Sequence, residues 1–453
     1  MRQLADDTLV VFLSDCHIGG DPGRDIFESP DELASLLDDL DRHPGPVELV
    51  LAGDFFDLLR IAEVAEGANR ASATTARPEY GALFDSLRRL AGGRSRTVIY
   101  LPGNHDAETW WNPEIRSTLV DEGLVHEFAL SYKACFRSEP GRIVYCEHGN
   151  QFDPANTFRD YADPLDTPLG DHIVTDLMPR LPGGGTLTPS LHLREIDRVF
   201  PLTKVPEWVA GRLFYDVVSQ AIRWLLLPLI AAYAAYWLIK YALGGTDGGV
   251  LDVVVDLGYE LGVLVVAFGL FVLVLRGMAN QAIRAAAARF GGDEQAPERS
   301  DPTVDEIRRR LENGLPPPLG HQPRGEIAVF VSGHTHAPSL IELETPTGAR
   351  AAAVNSGCWL RQAHPVEARV RAPSIFVWRY VFTHARVHRG ADGIEAELWE
   401  HPRPYRQQLL VVERLAAAGR LPAEPEHDAT PRIRARATVR RVPASRPAEG
   451  ARA

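Results

Sequence analysis

Two long apolar runs sit in the middle of this 453-residue chain: WLLLPLIAAYAAYWLIKYAL (224–243) and LGYELGVLVVAFGLFVLVL (257–275). Between them lies a turn-forming GGTDGG (244–249). At ~1.5 Å rise per residue, a helix of either length matches the ~30 Å apolar thickness of a bilayer. Such a pair must be hidden in a protein core, pressed against another copy, or laid in lipid. Their length, their adjacency and the short Gly-rich loop between them favour lipid, and the charges set the orientation. Arg212, Arg223, Arg276, Arg284 and Arg289 flank the outer ends, while Asp247, Asp252 and Asp256 cluster at the connecting loop. Basic residues mark the cytoplasmic side. The expectation is therefore a multi-pass protein of the cell membrane, with a transmembrane hairpin and with both termini and the body of the chain cytoplasmic. Lys240 and Glu260 lie near the loop end of their runs, within reach of the interface. A helical hairpin buried in a soluble core or dimer interface is the competing reading. Just before the pair, PEWVAGRLFYDVVSQAI (206–222) spaces its apolar residues as an amphipathic helix.

The flanks of this insertion have another character. TLVVFLS (8–14), VELVLAG (47–53), RTVIYLP (96–102) and RIVYCEH (142–148) read as buried strands, and ELASLLDDLDRH (32–43) and EYGALFDSLRRLA (79–91) as helices. The pattern stops near residue 150 and resumes at EIAVFVSG (326–333), ARAAAVNSG (349–357), SIFVWRYVF (374–382) and IEAELWE (394–400). Alternating strands and helices predict an α/β layered sheet. The expected organisation is one domain made of 1–155 and 326–412, a helical insertion over 156–325, and a tail over 413–453. Residues 430–453 carry seven Arg against Glu449 alone, in a background of Ala and Pro. With little to bury, the tail is expected to be disordered and to face an anionic leaflet.

Five of the predicted strands run into Asp, Asn or His. TLVVFLS meets Asp15-Cys16-His17; VELVLAG meets Asp54, with Asp57 three residues on; RTVIYLP meets Asn104-His105-Asp106; RIVYCE meets His148; and IAVFVS meets His334-Thr335-His336. Ligand sites in open α/β sheets gather at the carboxyl ends of strands, so groups more than 300 residues apart can converge. The set suits two divalent ions. Asp54 can bridge them, Asp15, His17 and His336 can complete one site, and Asn104, His148 and His334 the other. Imidazole, carboxylate and amide donors fit Mn²⁺, Fe or Zn²⁺ better than Ca²⁺. A neutral Asn104 oxygen limits the negative charge facing an anionic substrate. Cys16 reads as a small buried filler, Asp57 as a support behind the ligands, and Trp359 as packing. Asn156 and Arg159 read as exposed loop and are not assigned.

The ordered blocks DxH, GDxxD, GNHD, a later His after a strand, and GHTH resemble those of the calcineurin-like metallophosphoesterases. The resemblance covers about 1–155 and 326–400. It implies a four-layer αββα sandwich of two sheets flanked by helices, two bound metals and the ligand set above; from the donor set, Mn²⁺ is the expected ion, with Fe or Zn²⁺ as alternatives. It further implies that His105 is the catalytic histidine, with Asp106 orienting it. The spellings HGNQFDP (148–154), SGHTHAP (332–338) and NSGCW (355–359) look like the branch of UDP-2,3-diacylglucosamine pyrophosphohydrolases. The 186 positions from His148 to His334 depart from that branch, whose lid is short.

The expected activity is hydrolysis of a phosphodiester or pyrophosphate on a phosphorylated small-molecule or lipid-linked substrate at a membrane. A phosphoprotein or nucleotide phosphatase and a non-catalytic membrane scaffold are the alternatives. The net charge of −12 argues against nucleic acid as a partner. Four scattered cysteines suit reduced thiols in the cytoplasm, and the first residues lack the pattern of a signal peptide.

Overall fold

Every apolar run read as a strand is one in the computed structural model, which describes residues 1–62, 64–180, 193–243, 249–290, 301–319, 325–369, 372–421 and 430–440. The strands in chain order are β1 (Arg2–Leu4), β2 (Leu9–Leu13), β3 (Val47–Ala52), β4 (Arg96–Leu101), β5 (Glu127–Phe128), β6 (Tyr132–Phe136), β7 (Arg142–Cys146), β8 (Glu326–Ser332), β9 (Ser339–Glu344), β10 (Arg350–Asn355), β11 (Trp359–Val366), β12 (Ile375–Arg389), β13 (Gly393–Glu400) and β14 (Arg432–Arg440). They form two mixed sheets. One has the order β1-β6-β7-β8-β10-β9; the other runs β14-β13-β12-β2-β3-β4-β5, with β11 paired to the far end of β12.

The sheets face each other. Val10, Phe12, Val50 and Ile99 of one pack with Ala134, Val144, Val329 and Val354 of the other in a single buried cluster. On the opposite face of the second sheet, helices Pro30–Asp41 and Gly81–Gly92 bury Leu33, Leu37, Phe84 and Leu87 against Val11, Leu49 and Val98. Helix Pro302–Glu312 covers the outer face of the first sheet through Ile307 and Leu311. Strands buried on both faces need continuous apolar runs, and LVVFL of β2 and RIVYC of β7 are buried throughout. β2, β3 and β4 are parallel neighbours, as are β7 and β8. Their carboxyl ends therefore lie together.

The insertion leaves after β7 and returns at β8, its neighbour in the sheet, where Cys146 pairs with Val331. Its described parts are tied to the loops above β2 and β3. An Arg24 guanidinium nitrogen donates to the Val174 carbonyl at 3.2 Å, Arg198 pairs with Glu28 at 2.7 Å, and Arg60 pairs with Asp197. Helix Val205–Ala221 packs Trp208 on Phe376 and Trp378 of β12. It continues through a π-helical turn, Ile222–Leu226, into Leu227–Ala242. Pro228 follows that turn and lacks the N–H an α-helix would use there, which explains the local rewinding. Helix Val250–Phe290 runs back alongside and packs Phe268, Val272 and Leu275 on Phe214 and Val218.

Val205–Ala242 and Val254–Gln281 are long and apolar enough to cross a membrane. Within the apolar runs many side chains stay outside this chain's core: Trp224 is 75% exposed, Leu238 70% and Tyr259 74%. The turn at 244–248 lies outside the described residues.

One expectation is overturned. The basic segment from 430 is not wholly disordered, because Arg432–Arg440 pairs along its length with β13 as an edge strand. RIRARATVR alternates, so the arginines face outward while Ala437 and Val439 are buried beside Ile394 and Ala396. Residues 441–453 lie outside the described residues.

Candidate dimetal centre

The strand ends bring all seven expected ligands together. His336 Nε2 lies 3.2 Å from an Asp15 oxygen and 3.2 Å from His17 Nε2. His148 Nε2 is 3.3 Å from Asp54 Oδ2, and His17 Nε2 is 3.8 Å from that same oxygen. His334 Nδ1 faces the Asn104 side-chain oxygen at 3.1 Å. Asp15, His17 and His336 form one group whose donor atoms lie within 4.8 Å of one another, and Asp54, His148 and His334 form another. Asp54 stands between the groups.

The backbone is bent to achieve this. Asp15, His17, Asp54, His334 and His336 all have positive φ, between 51° and 69°. Side-chain-bearing residues adopt that region at a cost of about 1–2 kcal/mol each, and such residues cluster where function demands a geometry. Two glycines make room. Gly53 has φ 89°, and a Cβ there would run into the His148 ring. A Cβ at Gly333 would meet the Asp15 carboxylate and Ser14 hydroxyl. Backbone amides then fix the carboxylates: His334 N–H donates to Asp15 at 3.0 Å, and His105 N–H to Asp54 at 2.8 Å.

The donors fit a pair of cations. His148 Nδ1 lies 2.9 Å from the Ala52 carbonyl, so Nδ1 carries a proton and Nε2 is the nitrogen left to face a metal. That Nε2 is fully buried with no hydrogen-bond partner, and it points at Asp54. Burial disfavours a charged imidazole, but Asp54 and Asp15 outweigh it and push the His148 pKa up to about 10. A place that attracts a proton so strongly attracts a metal ion for the same electrostatic reason.

His105 is oriented differently from the expectation. Asp106 does not touch its ring. The Asp106 carboxylate accepts from Tyr100 Oη at 2.5 Å, Gly103 N–H at 2.6 Å and Phe55 N–H at 2.9 Å, which ties the β4 loop to the β3 loop. The residue that orients His105 is Asp57, whose Oδ1 is 2.9 Å from His105 Nδ1. Its other oxygen meets His17 Nδ1 at 3.2 Å and accepts from Arg60 Nε at 2.7 Å. Burial lowers the His105 pKa, but Asp57 and Asp54 override it and raise it to about 9. The resemblance implied Asp106, but the chain bends at 104–106 and the Asp106 carboxylate is taken by Tyr100, Gly103 and Phe55 instead.

Two further residues stand behind the ligands. Asp153 accepts from His334 Nε2 at 3.1 Å, and Asn156 donates to Asp153 at 2.6 Å. The Asn156 oxygen in turn accepts from Asn104 Nδ2 at 3.4 Å. This sets the Asn104 amide so that its oxygen faces His334. Asn156 is half-buried, not the exposed loop residue expected, whereas Arg159 is exposed. The only sequence signal was their closeness to His148. Trp359 packs as expected, stacked on Phe382 with centroids 5.3 Å apart, and Cys16 is a buried filler.

Residues 8–197 match the family model of the calcineurin-like phosphoesterases. That stretch is similar to the family, whose members are metal-dependent hydrolases of phosphate esters, and it spans five of the seven donors, Asp15 to His148. His334 and His336 lie beyond it and join the site through β8. No curated protein matches the chain.

Proposed function

We infer that this chain is a dimetal phosphohydrolase that cleaves a phosphodiester or pyrophosphate bond of a membrane-associated substrate. The observation that carries the reading is Asp54 Oδ2, shared between His17 at 3.8 Å and the orphaned Nε2 of His148 at 3.3 Å. Asp15, His17 and His336 would hold one ion, Asn104, His148 and His334 the other, with Asp54 between. Mn²⁺ is the first ion to test, with Fe and Zn²⁺ behind it. When bound, such a pair supplies Lewis acidity and makes hydroxide available near neutral pH. The packed layers fit the four-layer αββα sandwich.

The chain's own residues do the rest. Asn104 offers a neutral oxygen, so the site does not add charge against an anionic phosphoryl group. His105, kept protonated by Asp57, offers its remaining N–H to the developing charge and passes that proton to the leaving oxygen. Asp57 holds the His17 and His105 rings at once, and Arg60 holds Asp57. A non-catalytic scaffold has no use for five residues held in left-handed backbone.

The membrane part rests on the two exposed apolar helices and on the arginines at their outer ends. These favour a hairpin across the cell membrane with the catalytic domain and both termini in the cytoplasm. The deciding experiment is Mn²⁺-dependent hydrolysis by detergent-purified protein, offered a phosphodiester, a phosphomonoester and a sugar-nucleotide pyrophosphate. Activity on one of the first or third, lost in His105→Ala with metal still bound, is the expected result. Equal turnover by His105→Ala would sink the assignment.

A further inference from the structure

Beside the metal centre lies a cleft of about 640 Å³. It begins at Ala337 and Pro338, directly after His336. On its wall, Gln362 Nε2 donates to the His336 carbonyl at 3.0 Å. The walls come from the β11–β12 hairpin, from helix Pro302–Glu312 and from the start of β14.

Five arginines line the cleft, against the carboxylates of Asp301, Asp305 and Glu400. Some of this charge is already matched. Glu400 pairs with Arg432 at 2.6 Å, Arg403 with Glu32 at 3.1 Å, and Asp301 accepts from Asn355 at 2.9 Å and from the Thr335 hydroxyl. Arg308, Arg379 and Arg434 are different. Each comes from a separate element, and none has a hydrogen-bond or ion-pair partner among the described residues. His364 registers how near two of them are: burial first, then the charges of Arg379 and Arg434, push its pKa down to about 4. Three guanidinium groups with no ion-pair partner among the described residues share one concavity and focus a positive potential. The guanidinium fork matches the oxygens of phosphate. Trp378, which also lines the cleft, shares a buried cluster with Trp208 of the helix that leads into the apolar runs. The cleft therefore lies where the chain departs for those helices.

We propose that this cleft is a second anion subsite, in which Arg308, Arg379 and Arg434 hold a phosphate group of the substrate other than the one that reacts. The proposal rests on the phosphohydrolase reading and narrows its substrate to molecules carrying two phosphate groups. The shared chemistry is a phosphate, whether on a lipid or on a soluble molecule.

The test is calorimetric titration of the full-length, metal-loaded protein in detergent. The probes are sn-glycerol 3-phosphate and, separately, phosphatidic acid in mixed micelles. Wild type is compared with the Arg308→Gln/Arg379→Gln/Arg434→Gln variant. Wild type is expected to bind two equivalents and the variant one. Loss with both probes supports a subsite for any phosphate; loss with phosphatidic acid alone supports a lipid headgroup; loss with glycerol phosphate alone supports a soluble substrate. Unchanged stoichiometry and affinity in the variant for both probes overturns the proposal. If the triple variant fails to fold, Arg379→Gln, at an exposed side chain, gives the same comparison as a loss of affinity of about tenfold. Hydrolysis of bis(p-nitrophenyl) phosphate, which has one phosphate, is the separate control. Wild-type inactivity there with the second equivalent intact would count against the phosphohydrolase reading and leave the subsite standing.

Discussion

At the residue scale, the division of labour between Asp57 and Asp106 is the clearest result. Asp57 faces His105 and His17; Asp106 faces the Tyr100 hydroxyl and the amides of Gly103 and Phe55. Asp57→Asn keeps the shape but removes the charge that holds His105 protonated. If His105 is the proton donor, activity falls as pH rises through its pKa, which the Asp57 charge raises above the ordinary histidine value. In Asp57→Asn that alkaline limb should move toward ~6.5, the ordinary histidine value, and kcat should drop by about a hundredfold. A pH–rate profile, with metal content measured alongside, checks both. Asp106→Ala should leave the limb in place and cost about 1–3 kcal/mol of stability, since the Phe55 and Gly103 amides lose their acceptor; denaturant unfolding measures that. The ligands themselves were legible because each ends an apolar run. The orienting residues were not, since which way Asp57, Asp106, Asp153 and Asn156 point depends on loop geometry that no spacing rule encodes.

At the scale of elements, the site depends on how sharply each strand ends. Gly53→Ala places a methyl against the His148 ring at φ 89°. It should abolish stoichiometric Mn²⁺ binding and destabilise the fold by about 2 kcal/mol or more, read by calorimetry and thermal unfolding. β14 teaches the opposite lesson about sequence. Its composition, rich in Arg and Ala, suggested disorder, yet Ile433, Ala435, Ala437 and Val439 alternate as a strand requires. Periodicity outranked composition because β13 offered an edge to pair with. Deleting residues 430–453 should therefore cost about 2–4 kcal/mol, the order expected for uncovering Ala437 and Val439 and the cluster they close. Unchanged denaturant unfolding of the truncated protein would refute the strand's contribution.

At the scale of the molecule, metal and fold are linked through charge. With the metals removed, His105 and His148 have pKa values raised to about 9 and about 10, above the ~6.5 of an unfolded chain. A group raised in this way stabilises the fold fully below the unfolded value and loses that contribution as pH climbs through the folded one. The stripped protein should thus lose thermal stability as pH rises from about 7 to about 10. The metal-loaded protein should not, and melting curves with and without chelator compare them. The two-sheet body was legible from alternating runs and the insertion from its apolar length. The cleft beside His336 was not, because it is assembled from β11, β12, β14 and a helix far apart in the chain. The adjacency of β7 and β8 also sets an order of events during synthesis. A ribosome makes five of the seven donors by residue 148, then both apolar helices, and only at residues 334 and 336 the last two. The growing chain therefore emerges with both apolar helices before it owns a complete active site, so whatever receives those helices acts on a protein that cannot yet turn over anything.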